Sequence, residues 1–177
     1  MKKLSSVSEL SEPLRKFIRQ PNPAVLGTLR KDGTPHLTVV WYEYDEEDDL
    51  VRISLTDTRV KYKNARRDPR VSLAIVATED ARWLTKDDDS KMAYKEVVLE
   101  GEAKFTDEDA AEVDRRIAIN YYGYEEGIRY ANYTLAATSE KRIVMYFRPE
   151  RIMAWDFEVE DDDHRPWKVD SDTLLES

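Results

Sequence analysis

Leu10, Leu14, Phe17 and Ile18 recur at the spacing of one helical face and predict a helix from Ser8 to Gln20. Pro21 and Pro23 end it, because a proline disfavours helical geometry in the residue before it. The pattern then shifts to extended runs, Ala24–Leu29 and His36–Tyr44, joined across a turn containing RKDG. Asp32-Gly33 in that turn supplies the glycine that a tight hairpin needs. The second run is apolar or aromatic on both alternating faces (Leu37, Val39 and Trp41 against Val40, Tyr42 and Tyr44), which predicts a strand buried on both sides.

Asp45–Asp49 reads as a solvated hairpin loop. Through Leu50–Thr56 the alternation is clean, with Val51, Ile53 and Leu55 on one face and Arg52, Ser54 and Thr56 on the other. A helix over Thr58–Arg67 is broken at Asp68-Pro69, and Val71–Thr78 returns as a strand. A polar excursion, Glu79–Met92, precedes a long strand, Tyr94–Phe105. Thr106 opens a helix running to about Tyr121, with Asp107, Glu108 and Asp109 in a first turn where carboxylates favour the helix dipole. Gly123–Ser139 fits neither period decisively. Arg142–Arg148 and Arg151–Phe157 are short strands joined at Pro149-Glu150, and the tail 158–177 reads as irregular or mobile. Roughly six or seven strands on short turns, with few helices between them, predict one mainly β domain over 1–177: a small antiparallel barrel with peripheral helices.

Composition narrows the function. The 177 residues are long enough to bury one sizeable core. The net charge of −9 makes a general nucleic-acid binder a poor expectation, because the phosphate contribution to such binding needs positive steering. No apolar run approaches a membrane span, and MKKLSSVSELSEPLRKFIRQ has basic residues without an apolar leader, so a cytoplasmic location is expected. With no cysteine and only His36 and His164, no metal site is expected. His36 reads as a rim or surface residue that could face a pocket, and His164 as solvated. Asn132-Tyr133-Thr134 fits the glycosylation pattern, without weight in a chain lacking a secretion signal.

One stretch runs against the global charge. Thr56–Leu73 carries Arg59, Lys61, Lys63, Arg66, Arg67 and Arg70 against Asp57 and Asp68. With Asp57 or Thr58 as N-cap, Arg59 and Lys61 fall in the first helical turn, where cations oppose the dipole at about 0.3–1 kcal/mol each. An anion held there would reverse the sign, meeting both the cations and the free backbone N–H groups. Ser54 and Thr56 could add hydroxyls to the same anion. The alternative is a surface helix whose cations pair with the acidic remainder. A Walker loop is excluded, because no glycine-rich run lies between strand and helix.

PNPAVLGTLRKDGTPHLTVVWYEYD, ISLTDTRVKYKNARRDPRVSL, VVLEGEAKF and FRPERIMAWDF, in that order from Pro21 to Phe157, resemble the FMN-binding split β-barrel superfamily typified by pyridoxamine-phosphate oxidase. The match looks closest to its coenzyme F420 (deazaflavin)-dependent oxidoreductases. The resemblance implies a split antiparallel barrel and a homodimer with cofactor at the interface. It also implies an oxidoreductase passing hydride between reduced F420 and a small conjugated acceptor.

Carried onto these residues, it makes Arg59 and Lys61 phosphate ligands, with Ser54, Thr56 and Asn64 beside them. Thr38, Val39, Val40 and Trp41 would run along the ring, mainly through backbone, and Trp155 would approach from the partner subunit. The branch often has proline where this chain has Val39. F420 carries a phosphodiester and a glutamate tail, and Arg59, Lys63 and Arg66 form a helical stripe suited to an extended anion; ordinary solvated surface is the alternative for Lys63, Arg66 and Arg67. FMN is the alternative cofactor, and a flavin or deazaflavin binder without turnover the alternative role. A chain ending in DSDTLLES lacks the basic substrate signature of true pyridoxamine-phosphate oxidases, so vitamin B6 oxidation is not expected.

Tyr121, Tyr122, Tyr124, Tyr130 and Tyr133 are expected to pack at a dimer interface, or alternatively to wall a flat substrate and offer a phenol proton. Gly101, in Glu100-Gly101-Glu102, reads as a strand bend, and Asp161–Asp163 as a solvated acidic run. No residue stands out as a covalent nucleophile or a general acid.

Overall fold

A computed structural model describes residues 4–76, 95–137 and 139–156. The polar excursion Glu79–Met92, the residues on either side of it (Thr78 and Tyr94) and the tail with His164 and Asp161–Asp163 lie outside the described residues. After a 3₁₀ turn, Val7–Glu9, the described elements run α1 (Glu12–Arg19), β1 (Ala24–Leu29), β2 (Pro35–Val40), β3 (Glu43–Asp45), β4 (Leu50–Thr56), α2 (Val60–Arg67) and β5 (Arg70–Val76). They continue with β6 (Lys95–Glu102), β7 (Lys104–Thr106), α3 (Ala110–Tyr122), α4 (Tyr124–Ala136), β8 (Arg142–Phe147) and β9 (Arg151–Asp156).

Two antiparallel sheets, β2-β1-β5-β6-β9 and β3-β4-β8-β7, form the split barrel. The chain passes between them at Trp41-Tyr42, through α2, at Ala103 and at Pro149-Glu150. These crossings explain where periodicity alone misplaces boundaries. The run His36–Tyr44 is two strands in different sheets, and β2 is an edge strand whose Leu37 and Val39 are 68% and 69% exposed rather than buried on both sides. Tyr94–Phe105 likewise divides at Ala103, whose N–H donates to the Pro69 carbonyl at 2.7 Å. Gly101 pairs with Val71 inside β6 instead of bending it; a Cβ there would meet the Arg148 carbonyl at 2.5 Å.

The barrel core follows the alternation of β4: Val51, Ile53 and Leu55 are buried with Leu26, Leu73, Ile75, Val97, Leu99 and Met145. Leu14, Phe17 and Ile18 of α1 close this core, each contributing about 1.5–3 kcal/mol by burial. Their helix begins only at Glu12, because Ser6 and Glu9 form a capping box on the separate turn before it and Pro13 occupies its second position. On the other face of the four-stranded sheet, Ala110, Val113 and Ile117 of α3 pack on Val144. The helix at Thr106 starts late for a local reason. Thr106 ends β7 and accepts from the Glu108 N–H, and Asp109, with φ of 53°, turns the chain into Ala110. The segment after Gly123, undecided by periodicity, is helix α4 packed on α3.

Candidate anion-binding cleft

A cleft of ≈ 580 Å³ lies where β2, β4, the start of α2 and α4 converge. That volume is within the usual range for small-ligand sites. Its lining includes Val39, Trp41, Ser54, Thr56, Arg59 and Lys61, six of the ten residues named from sequence. Alternation on β2 decides the rest of that strand. Val39 and Trp41 face the cleft, whereas Val40 is buried in the core, and His36 and Thr38 share its parity. As an edge strand among the described residues, β2 also leaves one row of its backbone donors and acceptors without a strand partner among them.

Asn64 is not brought to the cleft. It is buried, its amide donates to Thr28 Oγ1 at 3.2 Å, and it borders a separate depression with Arg30, Lys31 and Arg67. Trp155 sits on edge strand β9 of the five-stranded sheet, opposite Glu96, and does not line the cleft of its own chain. Of the wider basic stripe, Lys63 and Arg66 are exposed, and the Arg66 guanidinium lies 5.6 Å from the Phe105 ring centre.

The corner differs from the sequence expectation in its cap. Arg59 itself is the N-cap of α2, with φ −66° and ψ 144° and no side-chain capping bond. Thr58 fails as the cap because its hydroxyl donates to Glu140 Oε1, while the Thr56 hydroxyl donates to Glu140 Oε2 at 2.7 Å. Those two hydroxyls hold the Glu140 carboxyl below the usual carboxylate range, with Arg59 and Arg142 adding to the effect. Ser54 is committed as well: its hydroxyl donates to Asp114 Oδ1 at 2.6 Å. Both hydroxyls assigned to an incoming anion therefore serve carboxylates of the chain. Lys61 has no such partner among the described ion pairs; burial, and then the charge of Arg59, pushes its ammonium pKa down.

The sequence offered only part of the wall opposite, Tyr130 and Tyr133 as an alternative role, and not Thr134, Glu140 or Arg142. Tyr130, Tyr133 and Thr134 come from α4, and Glu140 and Arg142 from the entry to β8. The Thr56↔Arg142 register of β4 and β8 places Arg142 at the corner. Asp114 of α3, 8% exposed, ties the wall together, accepting from Ser54 and from Thr134 Oγ1 at 3.1 Å and facing the Arg142 guanidinium at 3.4 Å. An Asp114→Asn variant keeps the shape and loses the charge. It is expected to cost about 1.5–3 kcal/mol in urea unfolding, the scale of a hydrogen bond to a charged group; an unchanged midpoint would remove Asp114 from this role.

The tyrosines do not share one setting. Tyr121 stacks on Trp41 with centroids 5.2 Å apart and donates its hydroxyl to the Asn22 carbonyl at 2.8 Å, so it packs within its own chain. Burial raises its pKa to about 12. Tyr130 reaches Trp41 from the cleft side at 5.2 Å. Tyr124 and Tyr133 are 73% and 70% exposed.

Comparisons with known proteins agree with this architecture. The model of the family described as pyridoxamine 5'-phosphate oxidase matches residues 10–156. An F420H(2)-dependent biliverdin reductase from Mycobacterium tuberculosis (strain CDC 1551 / Oshkosh) is 31% identical over 86 residues, 48% of this chain and 61% of that protein. The match thus spans about three-fifths of the relative's length. Among solved structures, a conserved hypothetical protein from Mycobacterium tuberculosis aligns with a TM-score of 0.64 at 24% identity, covering 89% of this chain and 91% of its own. A structure titled F420 reductase aligns with a TM-score of 0.59 at 17% identity, covering 81% and 98%. At these identities the two structures speak to the fold alone.

Proposed function

The chain belongs to the pyridoxamine 5'-phosphate oxidase family, and from that premise we propose that it is an oxidoreductase whose cleft takes coenzyme F420. It would pass hydride between the reduced coenzyme and a small conjugated acceptor. One observation carries the reading: Lys61 lies partly buried beside Arg59 in the cleft without an ion pair among the described residues. Two adjacent cations at a helix start are relieved by an anion such as a cofactor phosphate. The 31% identical biliverdin reductase points to the deazaflavin.

In this reading Arg59 and Lys61 hold the phosphate, and the β2 edge with Val39 and Trp41 lies along the ring. The coenzyme supplies hydride chemistry when bound; the protein orients it and excludes water. Reducing a conjugated acceptor also consumes a proton, and the phenols of Tyr130 and Tyr133 are the cleft's candidates to supply it. Burial, with Tyr122 and Asp114 nearby, raises the Tyr130 pKa, so its hydroxyl stays protonated at neutral pH. A homodimer would cover the exposed Leu37, Val39 and Tyr133 and could carry Trp155 to the other copy's cleft. FMN is the second reading, favoured by the family match itself.

The test is a titration of the purified protein with F420 and separately with FMN, following tryptophan emission. Because Trp41 lines the cleft, saturable quenching by F420 and not by FMN is the expected result. Tight FMN binding with no F420 response would move the protein to the flavin reading. Silence from both would remove cofactor binding from this cleft.

A further inference from the structure

Among the described residues, the charged groups lining the cleft at the Thr56–Lys61 corner are Arg59, Lys61, Arg142 and Glu140, with Asp114 next to Arg142. Asp114 is matched to Arg142 and stands behind the cleft wall. Glu140 instead lines the cleft itself, at the place where a phosphate would meet Arg59 and Lys61. Both of its oxygens are held, one by the Thr56 hydroxyl at 2.7 Å and the other by the Thr58 hydroxyl, and those hydroxyls lie 3.2 Å from one another. Thr56 is 3% exposed and fixed in β4, so this carboxylate is clamped to the sheet.

We infer that Glu140 is a specificity-determining residue that shifts the preference of this corner away from a phosphomonoester and toward a phosphodiester. The inference rests on the corner being the cofactor-phosphate site. A phosphodiester carries one negative charge, whereas a phosphomonoester, with a second ionisation near about pH 6, carries close to two at and above neutral pH. Repulsion by a fixed carboxylate scales with the charge of the incoming group, so the monoester suffers about twice the penalty. Through this difference Glu140 would favour the diester of F420 over the monoester of FMN, without touching either ring.

The experiment is Glu140→Gln, checked for an unchanged circular-dichroism spectrum and melting curve and titrated at pH 8 with F420, FMN and riboflavin. Riboflavin has the FMN ring without the phosphate. The expected result is about a tenfold gain in FMN affinity, about threefold or less for F420, and none for riboflavin. An equal gain for FMN and F420, or a gain shared by riboflavin, would overturn the selection. So would no change in a folded variant whose wild type binds either phosphate-bearing cofactor. Failure of wild type and variant alike to bind either one would instead remove the phosphate site, and the inference with it.

Discussion

Gly127→Ala is expected to lower stability by about 3 kcal/mol, although glycine-to-alanine inside a helix ordinarily gains up to about 1 kcal/mol. The sign reverses because of what the new methyl would meet. A Cβ on Gly127 would sit 2.4 Å from Ile119 Cα, 2.6 Å from Ile119 N and 2.7 Å from the Ala118 carbonyl oxygen. All three are backbone atoms of α3, so no side chain can rotate away and the two helices must separate. Ala131, one helical turn further along α4, is fully buried and keeps the same close approach. In a domain of this size the loss corresponds to a melting temperature about 6–12 °C lower. Gly27→Ala is the control: its nearest neighbour is the Ser72 carbonyl at 3.5 Å, ordinary contact, and the melting temperature should shift much less. Because α4 carries Tyr130, Tyr133 and Thr134, the Gly127 variant should also weaken ligand binding at the cleft. Equal melting temperatures for wild type and Gly127→Ala would show that the helices slide apart at no cost.

That contact also explains why α4 was illegible. Its inner face is made of small residues, Gly127 and Ala131, while Tyr124, Tyr130 and Tyr133 are exposed, so hydrophobic periodicity points to no clear buried stripe. Without α4, a pocket wall stays only an alternative role for Tyr130 and Tyr133, and nothing points to Thr134. By contrast β4 was legible because one face is core and the other polar, and alternation placed Ser54 and Thr56 correctly on the outer face. The His36–Tyr44 run shows the limit of the same rule. Alternation reports which residues share a face but not where a chain leaves one sheet for another, and Trp41-Tyr42 is such a crossing. The cap of α2 was misread for another reason. Thr58 has the right chemistry to cap, but a glutamate 82 positions away in the chain takes its hydroxyl, and no local pattern reveals a partner that distant.

Lys61→Ala is expected to weaken binding of the phosphate-bearing cofactor by about 1.5–3 kcal/mol, the range for hydrogen bonds to charged groups, or roughly 10- to 150-fold in Kd. Its effect on the free protein should have the opposite sign. Burial and Arg59 depress the Lys61 pKa, so the unfolded chain holds that proton more tightly than the folded one. Below the depressed pKa, neutral pH included, the charged ammonium therefore costs stability. The cost fades only as pH rises toward the ordinary lysine value. Removing the side chain should leave the unfolding midpoint at pH 7 unchanged or raise it, while affinity falls. Lys63→Ala, two positions on and exposed, provides the comparison: a helix-surface lysine outside the cleft should change Kd by no more than about twofold. Paired urea-unfolding and tryptophan-quenching measurements on both variants separate a structural lysine from a ligand-binding one. A Lys61→Ala protein that is destabilised yet binds normally would make the ammonium part of the scaffold. The expected pairing, stability kept and affinity lost, would show a cation held in place for an anion that the chain does not itself provide.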